Sequence, residues 1–373
     1  MTRKSDSTSS DRVASLKDLK GFRVQIDRLD LQILKLINER ADLAAKIGKV
    51  KTENNGSVFS PAREEEVIGN VLRANKGPLP EVTIRAIYRE IISGSRALQK
   101  IDKVAFLGPE YSFSHLAALH RFGRAAEFMA VANIAAVFEE VNRQHVDYGV
   151  VPLENSTDGR VADTLDMFVR LPQLKICSEV RLRVHHNLIA NGEQPEIRRI
   201  YSKSQALSQC RNWLAKNVPQ ASLHEVSSTA AAAQLATREP GAAAVASREV
   251  AVQYGLRVLF PNIEDSPHNE TRFAVIGAHD SGKTGQDKTA VMFMIPHSPG
   301  SLADILNLFK QNKVNLTWIE SFPYPSTKGE YVFFVDFEGH QDDPKVKKTV
   351  TALQGECEKL YILGSYPVAP LTE

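Results

Sequence analysis

Arg23, Arg40, Lys51 and Arg63 are cations in or beside the apolar, interior-facing set of an N-terminal helical segment. At about 100° per residue, Ile26, Ile33, Ile37, Ala44 and Ile47 fall on one helix face, and Arg40 and Lys51 fall within that same stripe. One turn from Arg40 stand Leu36, Ile37, Leu43 and Ala44, so no carboxylate of its own helix can neutralise it, and an uncompensated buried ion is costly. Taken alone, Arg40 reads equally as an arginine snorkelling from the edge of a bundle, and Lys51 as a cation at a helix C-terminus. Together the four make a pocket suited to a compact anion with several oxygens, such as a dicarboxylate.

A second group is rich in hydroxyls and amides and contains no catalytic triad. The segment DYGVVPLENSTDGRVADTLD puts Glu154, Asn155, Ser156 and Thr157 at the end of an apolar strand and before a helix, where α/β folds present ligand groups. The same residues would also make an ordinary capped turn. Thr271 and Arg272 open the apolar strand of NETRFAVIG, and Gln205 sits near a strand-to-helix switch in YSKSQALSQC. His185 and His186 follow an apolar run, but adjacent strand residues point to opposite faces and cannot easily chelate one metal ion. Gly277, Gly282, Lys283 and Thr284 in GAHDSGKT satisfy the phosphate-loop spacing. Gly285 then follows and strand-like TAVMFMI begins within a few residues, so the helix N-terminus that would hold phosphate is missing.

The elements that must position these groups fall into three textures. Leu16 to Lys51 lacks proline and predicts one long helix of roughly 50 Å. A loop from Glu53 to Ser60, a second helix after Pro61 and a third from Glu81 to Lys100 follow, with Ile84, Ile87 and Ile91 on a face that Ser95 and Gln99 continue. Two short helices cannot cover so long a stripe, which predicts a partner chain. From Lys103, short apolar runs alternate with helical stretches, predicting an α/β domain. From Thr289 the order becomes β-α-β-β-α-β, the ferredoxin-like order, after a polar linker containing Gly282 and Gly285.

The chain has 373 residues, 43% hydrophobic and 24% charged, which exceeds one core and predicts two or three domains. Its 46 Lys and Arg against 44 Asp and Glu leave no broad basic footprint for nucleic acid. Cys177, Cys210 and Cys357 are odd in number and far apart, unlike a disulfide framework or a zinc site. The opening MTRKSDSTSSDR reads as a disordered tail and not as a signal peptide, and no apolar run approaches the ~18 residues of a membrane span. The expected location is the cytoplasm.

The stretches FRVQIDRLDLQILKLINERADLAAKIGKVK, PAREEEVI and IYREIISGSRALQ resemble the all-helical class of chorismate mutases over residues 16 to 100. The resemblance implies that Arg40, Lys51, Ser60, Arg63, Glu64, Ser95 and Gln99 line one site, with Arg40, Lys51 and Gln99 catalytic and Arg23 reaching into a partner's site. Ser60 stands where some members of the family place a carboxylate. VAFLGPEYSFSHLAA, LENS, SQALSQC and TRF resemble prephenate dehydratases. That implies a catalytic Thr271 donating to a departing hydroxyl, with Glu154, Asn155, Thr157, Gln205 and Arg272 around the substrate and Ser228 and Thr229 as weaker candidates; Glu154 could instead be the acid. Lys203 replaces the histidine that relatives often carry. PHSPGSLADILNLFKQNKVNLTWIESFPYP resembles the ACT domain of the same enzymes, implying an effector site at Gly300, Ser301, Leu302, Glu320 and Ser321, with Phe322 where the better-known motif has arginine.

The resemblance therefore implies a bifunctional, feedback-inhibited enzyme acting on chorismate and prephenate, with L-phenylalanine as effector, no cofactor, no metal, no nucleic-acid or membrane partner, and a homodimer or higher homo-oligomer. Its expected parts are a disordered tail 1–14, a three-helix domain 15–101, a two-lobed α/β domain 102–279, a linker 280–288 and an α+β domain 289–373. The competing expectations are a non-catalytic amino-acid sensor and a nucleotide-dependent transferase using the GAHDSGKT loop.

Overall fold

The computed structural model describes residues 7–53, 58–157, 159–324 and 331–372. Three helices open the chain: α1 (Ser7–Glu53), α2 (Pro61–Ala74) and α3 (Glu81–Ala97). At about 1.5 Å per residue, α1 is ~70 Å long. It starts at Ser7, so the tail expected to be disordered over 1–14 is helical where described. Nothing from Ser7 to Leu19 is proline or glycine, and a helix already nucleated below propagates through such a segment.

Of the described side chains on α1, only those of the C-terminal turns are covered. Ile37, Arg40, Ala41, Ala44, Ala45, Gly48 and Lys51 recur at helical spacing and are buried or half-buried, with α3 against α1. Ile26, Ile33 and Ile47, expected in the same stripe, are exposed together with Leu19, Phe22 and Leu36. For Leu19, Phe22, Ile26 and Ile33 the reason is length, since α3 has 17 residues and spans only ~26 Å; Leu36 and Ile47 lie beside covered residues but off the covered face of the helix.

The first lobe of the α/β region comprises β1 (Lys103–Leu107), α4 (Phe113–Phe122), β2 (Glu127–Val131), α5 (Ile134–Asn142), β3 (Tyr148–Asn155), β4 (Gly159–Arg160), α6 (Ala162–Arg170) and β5 (Lys175–Arg183). The second comprises β6 (Asn187–Ala190), β7 (Arg199–Ser202), α7 (Ser204–Gln209), α8 (Arg211–Asn217), β8 (Ser222–Glu225), α9 (Thr229–Arg238), β9 (Ala242–Ala246), α10 (Arg248–Tyr254) and β10 (Arg257–Phe260). The chain then returns to the first lobe as β11 (Glu270–Gly277), lying antiparallel between β3 and β5. Two crossings between the sheets leave a cleft at the ends of β1, β3 and β11.

The remaining elements are β12 (Asp287–Met294), α11 (Ser301–Gln311), β13 (Leu316–Pro323), β14 (Tyr331–Glu338), α12 (Pro344–Glu356), β15 (Lys359–Pro367) and β16 (Leu371–Thr372). The first six follow the β-α-β-β-α-β order in a four-stranded antiparallel sheet, β13-β14-β12-β15. Alternation along β12 sends Val291 and Phe293 toward Ile305, Phe309 and Val350 of the two helices. Ala290, Met292 and Met294 join Phe138, Leu165 and Phe168 of the first lobe in one continuous core. Gly364, at φ +149°, passes so close to the Ile176 backbone that a Cβ would not fit.

The expected boundaries shift at both ends of this unit. Strand β12 begins at Asp287, inside the expected linker 280–288, and Ser281 before it is buried beside His340. Strand β16 leaves the unit altogether and pairs in parallel with β5.

Candidate active sites

The helical group assembles from α1 and α3. Arg40 Nη1 donates to Ser95 Oγ at 2.8 Å, and Gln99 Nε2 lies 3.4 Å from the Ser95 carbonyl. The Gln99 side chain lies across Gly48, occupying the space a Cβ there would need. Lys51, three residues on, reaches the Val58 carbonyl at 3.4 Å. Arg40 meets no carboxylate among the described residues, so its charge is available to a ligand.

Two residues expected here, Glu64 and Arg63, turn to other partners. Glu64 turns from the group and is buried between Arg96 and Arg121, with Arg96 also 2.7 Å from Asp102. Both guanidiniums lie over the Phe59 ring, at 5.1 and 4.8 Å from its centroid. This cluster is the seam between the helices and the first lobe, which explains why Glu64 cannot face α1. Arg63, one residue and ~100° earlier, points outward and pairs with Glu66 at 2.7 Å. Ser60 stands at the N-cap of α2 without a side-chain cap bond. Arg23, expected in a partner's site and not in this one, is exposed about 26 Å up the helix from Arg40.

The second site is the interlobe cleft, a cavity of about 350 Å³ lined by Asn155, Gln205, Thr271, Ser228 and Thr229, among others. Asn155 and Thr271 are register partners across β3 and β11. Asn155 Nδ2 donates to Thr271 Oγ1 at 2.8 Å, and its Oδ1 accepts from the Thr157 N–H at 2.9 Å, which fixes the amide orientation. Because Oγ1 accepts, the threonine hydroxyl keeps its own hydrogen for a ligand. The support continues behind it: Asn269 Oδ1 lies 3.1 Å from Asn155 Nδ2, and Asn269 Nδ2 donates to Gln209 Oε1 at 2.8 Å. His186 Nε2 is also 2.8 Å from Gln209 Oε1, so that nitrogen carries the proton. Burial holds His186 below the usual histidine range, against the pull of Gln209 and Glu264. Helices α4 and α9 open on the cleft with serine caps, Ser112 and Ser228, and their positive ends favour an anion.

Glu154 and Arg272 are not in this cleft. Each is the strand neighbour of a residue that is, and successive side chains point to opposite faces. Arg272 is buried against the C-terminal unit. Its Nε donates to Glu179 at 2.7 Å, its Nη2 to Tyr366 at 2.8 Å and also to Asp336, and it lies over the Trp318 ring. Burial there pushes the Glu154 carboxyl up, with Arg272 opposing. Burial would raise Glu179 too, but Arg272, Lys288 and the Ala369 N–H hold it below the usual range. Thr157 meets the site through its backbone N–H, bonded to Asn155.

In the C-terminal unit, Gly300 has φ +93° ahead of α11, and the hydroxyls of Ser301 and Ser298 are 2.6 Å apart. Leu302 is half-buried. Glu320 accepts from Arg160 Nη1 at 2.9 Å, and the same nitrogen lies 3.3 Å from the Ser321 carbonyl. Arg160 faces Glu154 in the β3–β4 pair, so the strand ending in Asn155 is tied directly to this segment. Phe322 points into the shared core, stacked on Phe334 at 5.6 Å.

The phosphate-loop spacing has no matching geometry. Lys283 pairs with Asp343, and buried Asp287 accepts from the N–H groups of Thr284 and Gly285 and from the Thr284 hydroxyl. The donors a phosphate would need are taken by a carboxylate. His185 and His186 have separate partners, Glu264 and Gln209. Sequence reasoning missed the place of His186, Gln209 and Lys203 in the cleft lining and of Asn269 behind Asn155. Gln209 and Asn269 stand within the YSKSQALSQC and NETRFAVIG segments already singled out.

Residues 104–281 match the family Prephenate dehydratase, and residues 22–100 match Chorismate mutase type II. A bifunctional chorismate mutase/prephenate dehydratase of Aquifex aeolicus is 43% identical over 363 residues, 96% of this chain and 100% of that one. One from Pseudomonas aeruginosa is 42% identical over 367 residues, again 96% and 100%. Among solved structures, a prephenate dehydratase from Arthrobacter aurescens in complex with L-Phe is 33% identical, with a TM-score of 0.67, covering 71% of this chain and 90% of that one.

Proposed function

This chain belongs to the bifunctional chorismate mutase/prephenate dehydratase family, and we propose that its two side-chain clusters divide the two reactions between them. It rearranges chorismate to prephenate and converts prephenate to phenylpyruvate with loss of carbon dioxide and water, in phenylalanine biosynthesis under feedback by L-phenylalanine.

The rearrangement is unimolecular and pericyclic, so it needs a clamp for the compact conformer and positive charge near the ether oxygen as that bond breaks. Arg40 and Lys51 supply charge, Gln99 a neutral donor, and Ser95 holds Arg40 in place. Arg23 completes the site of a second copy. The exposed Phe22, Ile26, Leu29 and Ile33 of α1 support that assembly, because a monomer rarely leaves so long an apolar row in water.

In the cleft, the bond from the ring carbon to its carboxylate breaks, the electron pair moves through the ring, and the C–O bond to the hydroxyl breaks as the ring becomes aromatic. Thr271 donates its O–H to the departing oxygen and stabilises the charge that develops there. The observation that carries this reading is the Asn155 amide donating into Thr271 Oγ1. The β-α-β-β-α-β unit acts as the ACT domain, taking L-phenylalanine at Gly300, Ser301, Leu302, Glu320 and Ser321; the L-Phe complex of the Arthrobacter relative supports this.

The test is purified full-length protein with chorismate, following prephenate and phenylpyruvate separately. Arg40→Ala should abolish the first reaction and spare the second on supplied prephenate, while Thr271→Val should do the reverse. Loss of both activities in either variant, with the fold intact, would refute the two-site division.

A further inference from the structure

Prephenate carries two carboxylates, one that leaves the ring as carbon dioxide and one on the pyruvyl side chain that survives in the product. The arginine that sequence resemblance offered for a carboxylate, Arg272, is buried on the other face of β11 with its charge committed to Glu179 and Asp336. The cleft therefore needs another cation. Among the described residues lining it, Lys203 is the one lysine or arginine, and burial holds His186 below the usual histidine range.

Lys203 stands between β7 and α7 at the N-cap of that helix, where it provides no cap bond and where serine, threonine, aspartate or asparagine would serve the fold better. It is exposed and pairs with no carboxylate among the described residues; the one acid lining the cleft, Asp163, is not its partner. Resting on the dehydratase reading above, we propose that Lys203 binds the pyruvyl carboxylate of prephenate.

Reaction polarity selects which carboxylate. The ring carboxylate must give up its electron pair to the ring, leave as neutral carbon dioxide and so drive out hydroxide, which becomes water with a proton from solvent. A cation on that carboxylate would stabilise charge that the transition state disperses, raising the barrier. A cation on the pyruvyl carboxylate binds a charge that is the same before and after reaction, so it contributes to binding without opposing chemistry. Lys203 is then a substrate-binding residue of the uniform kind, and its loss should be read in KM.

The experiment compares Lys203→Gln and Lys203→Arg in the full-length protein, measuring prephenate KM and kcat and inhibition by phenylpyruvate, which keeps only the pyruvyl carboxylate. Lys203→Gln should raise KM and the phenylpyruvate inhibition constant by similar factors of about ten or more, the worth of one charge-assisted hydrogen bond. kcat should fall less than KM rises, and Lys203→Arg should restore most of both. A raised KM with unchanged phenylpyruvate inhibition would place Lys203 on the ring carboxylate and overturn the proposal, as would an unchanged KM. Mutase turnover in the same preparation reports folding. Absence of phenylpyruvate formation by the unsubstituted chain would instead refute the dehydratase reading itself.

Discussion

Arg272→Met separates a structural arginine from a substrate-binding one. In the folded chain Arg272 sits between Glu179 and Asp336, both almost fully buried, with Lys288 3.4 Å from Glu179. Two cations face two fully buried carboxylates, with half-buried Glu154 beside them. Removing Arg272 leaves one buried negative charge without a partner, a change that typically costs about 3 to 5 kcal/mol. For a cooperative unit of 150 to 250 residues each kcal/mol lowers Tm by about 2 to 4 °C, so the unit spanning the first lobe and the C-terminal sheet should melt about 6 to 20 °C lower. Calorimetry at several pH values is the assay. Glu179 is held below the usual carboxylate range in the folded state, so its contribution is complete above the unfolded value and fades as pH falls through the folded one. Without Arg272 that carboxyl rises, so the deficit of the variant should be widest near neutrality and narrow as the medium becomes acid. Adding Asp336→Asn should recover part of the loss, because the pair is coupled. A variant with unchanged Tm and a tenfold higher prephenate KM would refute this reasoning and return Arg272 to the substrate.

Gly48→Ala should reverse the usual helix rule: alanine gains up to about 1 kcal/mol of propensity, yet its Cβ would displace Gln99. Mutase kcat/KM should fall at least tenfold with thermal stability held or raised, and full mutase activity would show that Gln99 is dispensable. Arg160→Gln breaks the link from the Asn155 strand to Glu320 and Ser321. The uninhibited dehydratase rate should persist while half-inhibition requires about fivefold more phenylalanine or higher, the lower end of a typical coupling energy; unchanged inhibition would remove Arg160 from the coupling.

That Arg40 and Lys51 share the covered face of α1 with Ile37 and Ala44 was legible from helical spacing, because a 3.6-residue period is a property of one chain segment; that Ile26, Ile33 and Ile47 stay uncovered was not. Asn155 with Thr271 was legible for a related reason, as each stands at the end of an apolar run where strands present ligand groups. The alternation that separates His185 from His186 also separates Thr271 from Arg272 and Asn155 from Glu154. The sequence therefore contained the fact that only one of each pair could enter the cleft, though not which one. Glu64 was expected in the helical site only through the family resemblance, and neither that resemblance nor helical spacing speaks of Arg121, which arrives from another domain and pairs with it.

The amino-acid sequence by itself determined the three textures, the order of elements and the residue types able to clamp a dianion or donate to a leaving oxygen, since these depend on local periodicity and side-chain chemistry. Tertiary structure alone decided which face of β11 fronts the cleft, that the C-terminal sheet shares a core with the first lobe, and that β16 returns to pair with β5. Those outcomes are contacts between segments far apart in the chain. Many placements satisfy the same local pattern, and the joint requirement to bury apolar faces and pair buried charges selects among them.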